Sequence, residues 1–148
     1  MSNLFQIENN PFIELKNILT NRKEAIIFDL KLNDITFQVD DNLSIFALPK
    51  AVSSFYSIYE SLTIHSPRYF EILAIKNWSL VDDNYILFSK IDSYRIAFNI
   101  QSLNEAEEWD IINLESKFVV TKTFKSYLFN KMLAWIDRSR LVWQTENH

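Results

Sequence analysis

The chain has 148 residues, carries a formal net charge of −4, and contains neither glycine nor cysteine. An average usage of about 7% would give about ten glycines. Their absence excludes recognisable phosphate-binding loops, dinucleotide-binding turns and nucleophile elbows, and the absence of cysteine excludes thiolate catalysis, cysteine-ligated zinc and disulfides.

The acidic balance also bears on partners and location. With a pI near 5.2, the chain is poorly suited to binding nucleic acid and better suited to binding a basic protein. No apolar run approaches the ~20 residues of a membrane-spanning helix. Residues 1–6 lack the basic start and apolar block of a signal peptide. We therefore expect a cytoplasmic protein that needs no membrane, nucleic acid or cofactor.

Residues 9–40 predict an N-terminal extension made of a helix and a hairpin. Asn9 or Asn10 is suited to cap a helix that has Pro11 in its first turn and an amphipathic pattern up to Arg22. Two runs of alternating polarity flank an Asx turn and predict the hairpin: residues 25–32, Asn33-Asp34 and residues 35–39.

A second helix is predicted to open at Leu48-Pro49. Its apolar stripe follows the spacing i, i+3, i+4, i+7 and consists of Phe55, Ile58, Tyr59 and Leu62. Pro67 disfavours helical backbone at the residue before it. We therefore expect this helix to end at residues 61–65.

Hydrophobic periodicity then changes to the alternation that is typical of strands. The predicted strands cover residues 70–75, 85–89, 94–100, 108–112 and 118–121. Their short connections favour antiparallel pairing, because parallel crossovers need about a dozen residues or more.

A last helix is predicted with Thr123 as its N-cap, an apolar stripe up to Ile136, and Arg138 and Arg140 near its C-terminus. The chain is thus expected to form one domain over residues 1–148. Its fold class is α+β, with an antiparallel sheet of about five to seven strands and helices packed on one face.

Three stretches follow one another in a recognisable order: LPKAVSSFYSIY at residues 48–59, WDI at 109–111 and TFKSYL at 123–128. They resemble the Leu-Pro helix start, the late Trp/Tyr-Asp strand and the Ser/Thr-Phe closing helix of the SMI1/KNR4 (SUKH) superfamily. The similar region covers about residues 48–136, and the resemblance implies a strand meander between the two helices.

Bacterial members of that superfamily are mostly immunity proteins, which bind and neutralise a polymorphic toxin that is often a nuclease. Other members are scaffolds or regulators of cell-wall synthesis and signalling. The resemblance therefore implies a non-enzymatic protein, in agreement with the missing catalytic motifs. We predict an immunity protein that binds a basic toxin domain. The alternative is a regulatory or scaffolding module with a host-protein partner.

Acidic residues around a tryptophan form the predicted contact surface. Trp109 is surrounded in sequence by Glu105, Glu107, Glu108 and Asp110. An outward Trp109 would be an interface anchor among negative charges, whereas an inward one would belong to the core. Strand alternation places Trp109 on the same face as Ile111, which favours the core. The second candidates, on a predicted turn, are Asp82 and Asp83.

An enzymatic alternative needs a cluster that the sequence alone does not assemble. It would combine Asp29 or the acidic pair at 82–83 with Glu14 or His65 in a pocket. The other histidine, His148, lies in the polar tail, and no metal-ligand spacing such as H-E-x-x-H is present. No catalytic residue and no metal ligand is therefore predicted.

Two apolar residues near the C-terminus leave self-association open. Leu141 and Trp143 follow the last predicted helix among polar residues. They either pack back onto the fold or form an exposed apolar patch that supports association of two copies. The sequence does not choose between these alternatives.

Overall fold

A computed structural model describes residues 10–22, 25–33 and 48–138, which adopt an α+β fold. The strands are β1 (Ile27–Leu32), β2 (Tyr59–Ser66), β3 (Phe70–Ile72), β4 (Ser79–Val81), β5 (Tyr85–Ile91), β6 (Tyr94–Asn99), β7 (Asp110–Asn113) and β8 (Val119–Thr121). The helices are α1 (Leu15–Thr20), α2 (Lys50–Ile58), α3 (Phe124–Ser126) and α4 (Leu133–Arg138). A π-helical segment, Tyr127–Met132, joins α3 to α4, and we call these three segments the closing helix. Within these residues, no helix is both long and apolar enough to cross a membrane.

One antiparallel sheet contains all eight strands, in the order β1-β2-β3-β5-β6-β7-β8 with β4 also paired to β5. β3 pairs with the second half of β5, whereas β4 pairs with its first half. Tyr85 of β5 lies opposite Asn99 of β6, which in turn lies opposite Asp110 of β7. The start of β5, the end of β6 and the start of β7 therefore meet at one end of the sheet.

The main hydrophobic core lies between the helices and one face of the sheet. Phe12, in a 3-10 turn before α1, contacts Phe55 of α2 at a ring-centroid distance of 5.7 Å and Phe124 of the closing helix at 5.8 Å. Phe88 and Phe98 stack at 3.8 Å on the neighbouring strands β5 and β6. Aromatic rings bury large areas, so this cluster joins the N-terminal helix, α2 and the closing helix to the sheet.

The predicted length of the second helix is wrong. α2 ends at Ile58 and β2 begins at Tyr59, whereas the apolar spacing predicts helix up to residues 61–65. Leu62 and Ile64 are buried, and β2 pairs with β1 on one side and β3 on the other. Pairing on both sides of a β-branched, alternating stretch overrides its helical spacing.

Within the described residues the sheet has eight strands, where about five to seven are predicted. β2 and β4 are the strands that the sequence does not predict. β4 has only three residues, in a stretch that reads as a turn, and it is held in the sheet by pairing with β5. Such a short strand leaves little signal of its own in the sequence.

The predicted N-caps Asn10 and Thr123 are both confirmed. Asn10 Oδ1 accepts the N–H of Phe12 at 2.9 Å, and Thr123 Oγ1 accepts the N–H of Ser126 at 3.2 Å. The first predicted hairpin strand is β1, and the five strands predicted after Pro67 correspond to β3, β5, β6, β7 and β8. Several predictions lie outside the described residues: the hairpin strand at 35–39, Arg140, Leu141, Trp143 and His148.

Turns in this glycine-free chain place other residues in left-handed backbone. The described residues with positive φ are Asp82 (54°), Asp83 (60°), Asp92 (55°), Glu107 (60°) and Lys117 (65°). Glycine adopts this region without the steric cost that a Cβ atom imposes. Three of these five residues belong to the predicted contact surface.

Candidate partner-binding surface

Asp82 and Asp83 form the exposed turn between β4 and β5. The N–H of Asn84 donates to the carbonyl of Val81 at 3.2 Å and closes this turn. Aspartate is among the non-glycine residues that enter the left-handed region most readily. The two aspartates thus lie next to each other in the chain at the tip of a hairpin, with both side chains exposed.

Asn104 organises the loop between β6 and β7. Its Oδ1 accepts the N–H of Ala106 at 2.8 Å and that of Glu108 at 3.3 Å. Its Nδ2 donates to Asp110 Oδ1 and to the carbonyl of Lys122, both at 2.9 Å. These bonds use both donors and both acceptor positions of the amide. The acidic loop is therefore folded around a single saturated side chain.

Glu108 attaches this loop to the closing helix. Its Oε1 accepts the N–H of Phe124, the first residue of α3, at 2.8 Å. Glu108 is half-buried, and the loss of hydration raises the pKa of its carboxyl group, an effect that the bond from Phe124 opposes. Glu108 therefore has a structural role in addition to its place among the predicted contact residues.

Glu105 is exposed and paired. Its Oε1 lies 2.9 Å from Lys122 Nζ, and the bond from Lys122 lowers the pKa of the Glu105 carboxyl group. The same ion pair raises the pKa of Lys122. A basic partner that approaches Glu105 must therefore compete with a lysine of the chain itself.

Trp109 is partly buried and faces inward. It packs against the main hydrophobic cluster, and its ring centroid lies 5.4 Å from that of Phe98. Ile111, two residues further along the chain, is fully buried in the same cluster. The inward orientation that strand alternation favours is confirmed. Trp109 therefore packs beneath the predicted contact surface and is not its exposed anchor.

Strand pairing brings the two predicted acidic groups to the same end of the sheet. The Asp82-Asp83 turn precedes the first residue of β5, and the 105–110 stretch leads into the first residues of β7. The N–H of Ile100 donates to the carbonyl of Asn84 at 3.0 Å and connects the two loops. We call this region the acidic end; its carboxylates are Asp82, Asp83, Glu105, Glu107, Glu108 and Asp110.

The carboxylates of the acidic end differ in their pairing. Glu105, Glu108 and Asp110 bond to neighbouring groups of the chain. The side chains of Asp82, Asp83 and Glu107 are exposed and make no hydrogen bond or ion pair within the described part of the chain. These three carboxylates are available to cations from outside the protein.

Asn104 is the organising residue that sequence reasoning misses. The signal it leaves is an asparagine at the start of a polar stretch, where its side chain commonly bonds to backbone N–H groups just ahead. Its bonds to Asp110 and to Lys122, 18 residues away, depend on the tertiary fold. The sequence alone therefore predicts that Asn104 forms a turn, but it does not predict that Asn104 fixes the acidic end.

A cavity of about 530 Å³ lies near the opposite end of the sheet, beside the turn between β2 and β3. It is lined by Asn21, Arg22, Ile26, Pro67, Ile136, Asp137 and Arg138. Arg22 and Asp137 form an ion pair in its wall. None of the carboxylates of the acidic end lines this cavity, and the side chains of Asp82, Asp83, Glu105 and Glu107 are exposed.

The residues of the enzymatic alternative do not form a pocket cluster. Asp29 Oδ2 lies 3.4 Å from His65 Nε2 on neighbouring strands, with side chains 73% and 50% exposed. Glu14 accepts a bond from Asn17 within the N-terminal helical region. In the described residues, no group of three or more histidine, aspartate or glutamate side chains is arranged to hold a metal ion.

Comparisons of the chain with models of known protein families, with curated proteins and with solved structures return no match.

Proposed function

We propose that this protein is a non-enzymatic, cytoplasmic immunity protein that neutralises a toxin by binding a basic toxin domain through the acidic end. One observation carries the proposal: acidic groups at residues 82–83 and 105–110, distant in sequence, converge on one end of the sheet. The resemblance of residues 48–136 to the SMI1/KNR4 superfamily supplies the biological class.

The physical basis is electrostatic attraction by charges that are held in place. A toxin domain that binds nucleic acid presents lysine and arginine side chains to phosphates. An ordered group of carboxylates attracts the same side chains, accelerates association and covers the surface that the substrate needs. Because the attraction acts between exposed charges, salt weakens it.

The proposal is tested by co-expression of this protein with the C-terminal domain encoded by the large open reading frame adjacent to its gene. We expect a stable complex on pull-down, a complex that weakens as salt is raised, and rescue of growth from the toxicity of that domain. The absence of both complex and rescue would contradict the immunity function and leave the scaffolding alternative.

Paired charge reversals locate the binding surface. Asp82→Lys with Glu107→Lys reverses two unpaired charges of the acidic end, and we expect it to weaken the complex by at least about tenfold. Asp29→Lys with Glu115→Lys changes the net charge equally on other parts of the protein, and we expect little effect. Equal losses in both double variants would show that net charge, and not the acidic end, determines binding.

A further inference from the structure

We propose that Asn104 is the positioning residue of the acidic end, which holds the loop between β6 and β7 in its binding conformation before a partner arrives. This inference rests on the proposed function, because it names the group that fixes the geometry of the same surface. It concerns Asn104 alone, which does not itself need to touch the partner.

Asn104 binds the backbone of the acidic loop at every residue from 106 to 108. Its side chain accepts the N–H groups of Ala106 and Glu108, and its carbonyl accepts the N–H of Glu107 at 2.9 Å. Its own N–H donates to the carbonyl of Glu108 at 2.7 Å. These contacts hold Glu107 at its positive φ of 60°, a conformation that an unconstrained glutamate rarely adopts.

The other side of the amide fixes the loop to the sheet. Asn104 Nδ2 donates to the carboxylate of Asp110 at the start of β7 and to the carbonyl of Lys122 just after β8. Lys122 in turn pairs with Glu105. One side chain thus connects the backbone of the loop, two strand ends and the local ion pair.

Preorganisation of this kind changes affinity. A loop that is disordered in the free protein must lose conformational freedom when it binds, and that loss reduces the free energy of association. With Asn104 in place, the loop is ordered in advance. Loss of the Asn104 contacts should therefore weaken binding mainly through a less favourable entropy.

The experiment compares Asn104→Asp with Asn99→Asp. Aspartate keeps the acceptor oxygen at both positions and adds one negative charge to the same end of the sheet. Asn99 uses only its Oδ1, which accepts two N–H groups of Gln101 at 3.1 Å, so its variant keeps every bond. Asn104→Asp instead loses both Nδ2 donors. Both variants bring a second carboxylate near Asp110, because Asn99 lies opposite Asp110 across β6 and β7, so the comparison isolates the loss of the donors.

Two readouts are measured for each variant. Amide hydrogen exchange at residues 106–108 reports the order of the loop in the free protein. Calorimetric titration with a decalysine peptide, repeated at several salt concentrations, reports affinity and entropy for a polycation. The Asn104→Ser variant provides a milder change, which keeps an acceptor for Ala106 and adds no charge, should Asn104→Asp fail to fold.

We expect Asn104→Asp to exchange faster at residues 106–108 and to bind decalysine about tenfold more weakly through entropy, despite its added charge. Asn99→Asp should keep exchange protection and bind at least as tightly as the original protein. Equal binding and equal protection in the two variants would overturn the role of Asn104 and leave the proposed function in place. Failure of the unsubstituted protein to bind decalysine would instead contradict the acidic end as a polycation-binding surface, and this inference with it.

Discussion

Asp92 shows at the residue scale how the chain turns without glycine. It is the first of the two residues between Ile91 and Tyr94, which pair across the β5–β6 hairpin. Its φ of 55° lies in the left-handed region, where a Cβ atom costs on the order of 1 kcal/mol. Glycine is the preferred residue for such a position in a two-residue hairpin loop.

We expect Asp92→Gly to raise the free energy of unfolding by about 0.5 kcal/mol, because relief of the backbone cost exceeds the added entropy of the unfolded chain. Chemical denaturation measures the change. Ser93→Gly is the matched control: Ser93 does not have positive φ, so the substitution adds only entropy to the unfolded state and should destabilise the protein. Stabilisation by both variants would contradict the backbone explanation.

Burial makes the charge of Glu108 unfavourable to the fold. Burial raises its pKa above the ordinary value of 4.5, so the folded protein binds a proton more readily than the unfolded chain. The stabilising contribution of that proton is complete below pH 4.5 and is lost as the pH rises through the raised pKa. At neutral pH the ionised group is therefore a source of instability.

We expect Glu108→Gln to be more stable than the original protein at pH 7, because the amide oxygen still accepts the N–H of Phe124 and no charge is buried. This advantage should shrink as the pH falls towards 4.5. For Glu105→Gln we expect the opposite effect, because Lys122 lowers the pKa of Glu105. This variant should be less stable than the original protein at neutral pH, and the difference should disappear in acid. Thermal unfolding measured from acid to neutral pH follows both variants. A pH-independent difference for Glu108→Gln would contradict the assignment.

At the scale of elements, the closing helix is fixed to the sheet along its length. Its start is capped by Thr123. Tyr127 and Ser89 share a buried hydrogen bond of 2.7 Å between their hydroxyl groups. Near its end, Trp135 Nε1 donates to the carbonyl of Tyr69 at 2.8 Å. The closing helix contains a π-helical segment, whose turns hold more residues than the turns of an α-helix. The segment therefore contains one residue more than an α-helix that turns through the same angle.

Deletion of Asn130, an exposed residue of the π-helical segment, tests this explanation. We expect the variant to fold and to keep the environment of Trp135, because loss of one residue converts the wide turn to regular α-helix without rotating the helix beyond it. Tryptophan fluorescence and thermal unfolding measure the outcome. Complete unfolding of this variant would contradict the view that the segment absorbs one extra residue.

Deletion of Ser53 is the control for a regular helix. α2 has no wide turn, so the deletion rotates Phe55 and Tyr56 by about 100° away from the core. Both side chains are buried. Such a variant should lose several kcal/mol of stability or fail to fold, as expected for removal of large aromatic side chains from a core (about 3–5 kcal/mol each).

At the scale of the whole molecule, charged side chains lie at both ends of the closing helix. Its N-terminus lies at the acidic end, where Glu108 caps it. At its C-terminus, Arg68 donates to the carbonyl of Ile136, and Arg22 pairs with Asp137. Carboxylates near helix N-termini and cations near C-termini are both favourable for the helix dipole. For Glu108 the loss of hydration outweighs this favourable contact with the helix N-terminus, so the negative charge at this end of the protein is held there at a cost in stability.

The N-terminal helical region packs into the same core as the other helices. Phe12 is fully buried and contacts Phe55, Phe124 and Phe129. We expect Phe12→Ala to lower the free energy of unfolding by about 3–5 kcal/mol and to keep a single transition. Ile13→Ala, at the exposed neighbouring position, should have a small effect. Two separate transitions in calorimetry would contradict a single cooperative domain.

Much of the fold was accessible from local patterns. Period-2 alternation with turn residues between the runs predicts β3 and β5 to β8, and the caps at Asn10 and Thr123 predict where helices begin. β2 escaped prediction because Tyr59 and Leu62 also fit a helical stripe. Only pairing with β1 and β3, which come from both sides of it in the sequence, decides between the two structures.

The sequence by itself determined the composition of this protein: an acidic chain with the residue types of an α+β fold. This composition excludes glycine-dependent loops and cysteine chemistry. These properties need no knowledge of distant contacts. The tertiary structure decided that the 82–83 and 105–110 groups share one end of the sheet, that Trp109 is internal and that Asn104 holds the acidic loop. Strand register and long-range hydrogen bonds set these relations, and both depend on residues far apart in the chain.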